Sequence, residues 1–246
     1  KGIIIFYSNL PCLRNVNLGK IIKDSLGIPV TIENDANAAA FGERWLGAGK
    51  NSSNLICITM GTGIGGGIIL DNKIWHGDKG MAGEIGHVTV NPGGPLCNCG
   101  NYGCLEAYSS GTGIINRIID AMKKGKKTAL LSMIKNGINE ITPEKIFLAA
   151  KKGDPLSLEL VEDAGRYLGI AISDFANLLN IKTIILYGGL VSSFGLFAKK
   201  MKEEIINRTI PSFSKEVRVL KAGLKSDAGI IGAAGVVFQK KGILRF

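Results

Sequence analysis

Several classes of protein are excluded by what this sequence does not contain. No run approaches the roughly 18 uninterrupted apolar residues of a membrane span. The opening residues KGIIIFYSNL form no charged-then-apolar leader with a small-residue cleavage site, so the expectation is a soluble, cytoplasmic protein with no membrane partner. Aromatic residues are scarce, at 7%, and none is interleaved with the basic pairs as a stacking platform for nucleic acid requires. No helix-turn-helix, fixed-period repeat or low-complexity linker occurs. Lys plus Arg number 30 against 20 Asp plus Glu, a formal charge of +10, but the excess is scattered. Lys123-Lys124-Gly125-Lys126-Lys127 and the pairs Lys151-Lys152, Lys199-Lys200 and Lys240-Lys241 end amphipathic segments, where the helix dipole favours cations. They read as solvated surface, and nucleic acid is not an expected partner.

The 246 residues are 46% hydrophobic, enough for one or two packed cores, which excludes disorder. Of the 34 glycines, nine fall in the short runs GTGIGGG, NPGGP and YGG, where a backbone turns sharply or approaches a ligand. Strand and helix patterns alternate from the start: a strand over 2–7, a helix over 15–26 with apolar spacing at Leu18, Ile21, Ile22 and Leu26, a strand over 28–32, and an Ala-rich helix over 35–46. Strands over 55–60 and 66–75 enclose GTGIGG and an Asp-Asn turn, and 76–106 is irregular. Helical periodicity follows over 108–124, 129–134, 143–151 with Thr142 as N-cap and Pro143 first, and 155–179. A strand over 182–189, a helix over 196–207, a strand over 217–223 and a closing helix over 227–240 complete the pattern. The alternation predicts an α/β architecture with a mainly parallel sheet and ligands beyond the carboxyl ends of its strands.

Three motifs carry chemistry. Five cysteines are present; Cys12 and Cys57 sit in apolar contexts and read as inert core thiols, whereas Cys97, Cys99 and Cys104 fall within eight positions, downstream of His87. Three soft sulfur ligands and one imidazole, among Pro92, Gly93, Gly94, Pro95 and Gly100, match a closed tetrahedral zinc site. His76, alone beside Trp75, reads as surface or core. The second motif is Gly61-Thr62-Gly63-Ile64-Gly65-Gly66-Gly67, either a tight hairpin or a cradle whose N–H groups face phosphate oxygens; it fits neither a P-loop nor a Rossmann fingerprint. The third is Glu33-Asn34-Asp35-Ala36-Asn37 at the start of a helix. Asp or Asn there serves as an N-cap, or as a carboxylate placed to take a proton from an attacking hydroxyl. Glu84 and Glu106 flank the zinc loop and are either solvated charges or partners for sugar hydroxyls.

In their order and spacing, ENDANAA (33–39), GTGIGGGI (61–68), GEIGH (83–87) and CNCGNYGCLEA (97–107) resemble the ROK family (repressor, open reading frame, kinase), with the nearest pattern among its bacterial glucokinase-like sugar kinases. The resemblance implies an actin-like, ribonuclease H-like two-lobed α/β fold, its first lobe incomplete, with a zinc-binding loop. Residues 1–46 would belong to the smaller lobe, 47–225 to the larger lobe with the zinc loop and a helical insertion, and 226–246 to a closing helix that returns to the small lobe. It further implies an ATP-dependent hexose kinase of carbohydrate metabolism, glycolysis included, acting on glucose or an N-acetylhexosamine, and commonly a homodimer. Asp35 would be the general base, and Asn34, Glu84, His87 and Glu106 would bind the sugar. Thr62, Gly63, Gly65, Gly66, Gly67, Gly188 and Gly189 would approach ATP, with Mg²⁺ offsetting phosphate charge. Zinc would be structural, held by His87, Cys97, Cys99 and Cys104. The family's opening Asp-x-Gly-Gly-Thr phosphate loop has no counterpart ahead of Lys1, so the chain by itself is expected to fold incompletely and to lack turnover. The alternatives are a sugar-responsive ROK transcriptional regulator and a zinc-stabilised sugar-binding module without catalysis.

Overall fold

The computed structural model describes residues 2–4, 14–135, 137–244 and 246. Its centre is a five-stranded sheet in the order β3-β2-β1-β4-β5, made of β1 (Leu55–Met60), β2 (Ile64–Leu70), β3 (Lys73–Ile74), β4 (Thr183–Tyr187) and β5 (Arg218–Lys221). The sheet is mixed and not mainly parallel: β1, β4 and β5 run parallel, whereas β1–β2 and β2–β3 are antiparallel. Connection length dictates this. Three residues join β1 to β2 and two join β2 to β3, and a parallel crossover needs a dozen or more. Asp71 and Asn72 both take positive φ, 47° and 65°, as a two-residue hairpin turn requires.

Side chains of β1 and β4 alternate between two cores. Leu55, Cys57 and Ile185 face one side, where they meet Ala40 and Phe41 of α2 (Asp35–Trp45) and Val236 of α8 (Ala228–Lys240). Ile56, Ile58, Met60, Ile184 and Leu186 face the other. There they pack with α3 (Leu105–Ser109), α4 (Gly111–Lys123), α5 (Pro143–Lys151), α6 (Pro155–Leu179) and α7 (Phe194–Arg208). The period-two pattern of a sheet buried on both faces thus fixes three layers. The small residues of α2 have a physical reason: α2 and α8 touch backbone to backbone. A Cβ at Gly232 would lie 1.6 Å from Ala38 O.

Several elements differ from the pattern. Residues 28–32 form no strand; they run irregularly from α1 (Leu18–Leu26) to the N-cap of α2. Of the strand expected over 2–7, Ile4 makes a single bridge with Val16, and residues 5–7 lie outside the described residues, as does Cys12. The helix expected over 108–124 breaks at Ser110, whose extended backbone ends α3 while its hydroxyl accepts from Gly113 N and caps α4. Residues 129–133 form a 3₁₀ segment capped by Thr128. The expected cap of α5, Thr142 with Pro143, is present, and α6 is capped in the same way by Asp154 with Pro155. Among the described residues no helix is long and apolar enough to cross a membrane.

Candidate active site and zinc loop

The N-terminus of α2 is capped by Asn34, whose Oδ1 accepts from Ala36 N at 2.9 Å and Asn37 N at 3.1 Å. Asp35 is therefore the first helical residue and not the cap. Its Oδ1 accepts from Ala36 N at 2.9 Å, and the side chain is exposed to solvent. The next residue, Ala36, packs against β2 at Gly65. The helix start thus presents a carboxylate beside the first half of that strand.

The glycine motif divides in two. Gly61, Thr62 and Gly63 form the open β1–β2 turn, closed by Gly61 N to Gly63 O at 3.0 Å. The first amides of α4 anchor this turn, Gly111 N on Gly61 O and Thr112 N on Thr62 O. Gly65 lies within β2, its N–H donating to Thr59 Oγ1 at 3.1 Å. Gly66 and Gly67 are buried under neighbours. A Cβ at Gly66 would meet Ile85 at 2.1 Å, and one at Gly67 would meet Ala36 O at 2.8 Å. The last two glycines therefore admit α2 and the 85–87 turn to the strand, and the exposed part of the motif is 61–63. Gly188 stands beside Met60, at the end of β1; Gly189 opens the turn after β4. An open cleft of about 220 Å³ between that turn and α5 is lined by Gly189, Ser192, Ser193, Glu144, Leu148 and Lys151.

Glu106 joins the glycine turn to the cysteine loop. Its Oε2 accepts from Ile64 N at 2.8 Å and lies where a Cβ at Gly63 would stand, while Oε1 is 3.9 Å from Cys97 Sγ. His87 ends a 3₁₀ turn over Ile85–His87. Its Nδ1 is 3.7 Å from Cys97 Sγ, and its Nε2, on the opposite side of the ring, is 4.0 Å from Glu84 Oε2. Cys99 Sγ and Cys104 Sγ are 3.6 Å apart, and the four ligand atoms of His87, Cys97, Cys99 and Cys104 all lie within 4.8 Å of one another. Zinc bonds of about 2.3 Å to sulfur and 2.0–2.1 Å to nitrogen give tetrahedral edges of about 3.5–3.8 Å. The Cys99–Cys104 and His87–Cys97 separations match those edges, and the donor set of three thiols and an imidazole fits zinc. Burial, reinforced by the neighbouring thiols, pushes Cys104 up to about 12, and burial raises Cys97. The Asn101 N–H pulls exposed Cys99 down. A cation at the centre would reverse the first two effects, because zinc takes thiolates and expels their protons.

Glu106 thus meets the start of β2 at Gly63 and Ile64, and β2 is packed at Gly65 by Ala36, next to Asp35, and at Gly66 by Gly83 and Ile85, the two neighbours of Glu84. The structure places Gly188 and Gly189 on the adjoining strand exit and Gly66 and Gly67 beneath packing. Two participants were not visible in the sequence. Glu33 and His76, 43 positions apart, meet at 2.8 Å. Asn91 Nδ2 donates to Tyr108 Oη at 2.8 Å and Tyr167 Oη at 3.1 Å, fastening the zinc loop to α3 and α6.

A mixed sheet between helical layers is the actin-like α/β fold of ROK proteins, sugar kinases and regulators alike. A model of the ROK family matches residues 1–240, and the chain belongs to that family. It is 39% identical over 230 residues to a glucokinase of Halalkalibacterium halodurans, covering 93% of this chain and 69% of that one. It is 35% identical over 239 residues to a xylose repressor of Caldicellulosiruptor bescii, covering 97% and 59%. Among solved structures, a ROK family glucokinase from Streptomyces griseus in complex with glucose and AMPPNP matches with a TM-score of 0.77 at 34% identity, covering 96% of this chain and 76% of that one.

Proposed function

We propose that this chain forms the body of an ATP-dependent hexose kinase, with glucose as the leading substrate and Asp35 as general base. The observation that carries the reading is that the helix start bearing Asp35 packs on β2 at Gly65 through Ala36, while Glu106 accepts from Ile64 N on the same strand and approaches Cys97, itself beside His87. A hexose seated there would offer a hydroxyl to Asp35, which takes its proton as the oxygen attacks the γ-phosphorus and the bond to ADP breaks. Asn34, Glu84, His87 Nε2 and Glu106 would hold the remaining hydroxyls. The turn at 61–63 and the cleft beside Gly189 would receive the phosphates and the adenosine, and Mg²⁺ would arrive on the nucleotide to offset its charge. Rate then comes from positioning and electrostatics, with no covalent enzyme intermediate. Zinc, held by His87, Cys97, Cys99 and Cys104, would supply rigidity by fixing the ring whose far nitrogen faces the sugar. The glucokinase relatives and the solved relative holding glucose support this reading.

The test is a coupled assay over glucose, N-acetylglucosamine and N-acetylmannosamine. Asp35→Asn is expected to lower kcat by about 10²–10⁴-fold while hexose affinity stays within a few-fold; undiminished turnover would refute the base assignment. The second reading, a sugar-responsive regulator, is favoured by the repressor relative. It predicts hexose binding without turnover in the wild-type protein, together with sugar-dependent operator binding.

A further inference from the structure

We propose that Glu33 and His76 form a positioning pair that latches the segment bearing Asp35 to the loop bearing Glu84, an inference that rests on the kinase reading above. The Glu33 side chain is 11% exposed, and every oxygen of its carboxylate is engaged. Oε1 accepts from Asn34 N at 3.1 Å and from Asn37 Nδ2 at 3.0 Å; Oε2 lies 2.8 Å from His76 Nε2. The first two bonds hold the residues on either side of Asp35. Asn37 is itself buried, and its Oδ1 has no partner among the described residues, so the amide is oriented by Glu33.

The third bond reaches another part of the chain. His76 follows β3, and its carbonyl accepts from Ala82 N at 3.1 Å, which closes the 76–82 loop on itself. Beyond the loop, Gly83 is pressed against β2, where a Cβ would lie 2.6 Å from Gly66 O. Glu84 comes next. The loop is pinned on β2 at both ends, by Gly83 at the far end and by Trp75 N on Ile68 O at 2.8 Å at the near end. The Glu33–His76 contact therefore ties the helix start bearing Asp35 to this sheet-anchored loop and sets the separation of Asp35 from one sugar-binding carboxylate. A charge-assisted hydrogen bond from a ring with few rotamers suits that purpose, and His76, 48% exposed, is not needed for the core.

The experiment uses the zinc-loaded, full-length protein. Hexose binding is measured by calorimetry without nucleotide, and turnover is measured with hexose and ATP varied separately. His76→Ala is expected to weaken hexose binding and to lower kcat, each about tenfold, while leaving the KM for ATP and the thermal midpoint unchanged. His76→Gln retains a donor at similar reach and is expected to recover both to within about threefold. Adding His76→Ala to Glu33→Gln should cost little beyond Glu33→Gln alone. Wild-type sugar affinity and turnover in His76→Ala, or equal damage in His76→Gln, would overturn the latch while leaving the kinase reading intact. If the wild-type protein binds hexose without turnover, the kinase reading fails, and the binding loss in His76→Ala still supports the latch. A wild-type protein that neither binds nor turns over a hexose overturns both.

Discussion

Glu43 shows at the scale of one residue how a polar group serves the core. The side chain is fully buried on α2, and its carboxylate accepts from Ala48 N at 2.8 Å, Gly223 N at 2.9 Å and Leu224 N at 2.8 Å. Two loops far apart in sequence thus close on one anion, and hydrogen bonds to a charged group are the strong ones. Glu43→Gln puts a donor where an acceptor is required and is expected to cost about 1–3 kcal/mol of stability in urea unfolding; a loss below about 0.5 kcal/mol would show the anchor to be dispensable. The cluster of His87, Cys97, Cys99 and Cys104 was legible because three of the four are packed into one stretch with turn residues between them. Glu33 and His76 were not, because each has an ordinary surface role until the fold brings them together. Of the two candidates for the cap of α2, Asn34 holds that role and Asp35 is the first helical residue.

Among the elements, α6 depends most visibly on its N-cap. Asp154 is buried, accepts from Thr128 Oγ1 and Ala129 N at 2.7 Å each, and caps the 25-residue helix through Ser157 N at 2.9 Å. Burial alone would raise its carboxyl, but the bonds from Ser157, Ala129 and Thr128 outweigh that effect and hold it below its ordinary 3.8. The unfolded chain therefore binds this proton more readily than the native one. The resulting stability is present in full above the ordinary value and is lost as pH falls below 3.8 through the lower native value. Asp154→Ala is expected to cost about 1–2 kcal/mol at neutral pH. Asp154→Asn should flatten the acid limb of the stability curve, measured by circular dichroism between neutrality and acid. A second element test concerns α2 and α8. Gly232→Ala inserts a methyl group against Ala38 O and should lower stability by about 1–3 kcal/mol, with no change in the zinc cluster. The helices with clear caps, α5 and α6, were readable to within a residue. The 28–32 strand was misread because an apolar run announces burial without saying whether a neighbouring strand exists to pair with it.

For the whole molecule, the zinc loop is the part whose loss reaches farthest. It is tied to the sheet by Glu106 at Ile64 and to α3 and α6 by Asn91 with the two tyrosines. The purified protein is expected to contain about one zinc per chain by metal analysis, and chelation should abolish hexose binding together with a fall in thermal midpoint. A chelated protein that still binds hexose normally would restrict the metal to a remote structural role. The α/β class was readable from alternating patterns, but strand direction was not, because periodicity is blind to it and the turn lengths that decide it emerge only when strand ends are known. One feature of the sheet has a lasting consequence. Thr59 pairs with Tyr187 in parallel register, so both strands release their chains at the same rim. The loop leaving β4 at that rim lies beyond the β1–β4 ladder and can change in composition without touching those ladder bonds, whereas the 61–63 turn leaving β1 is held in length by its pairing with β2.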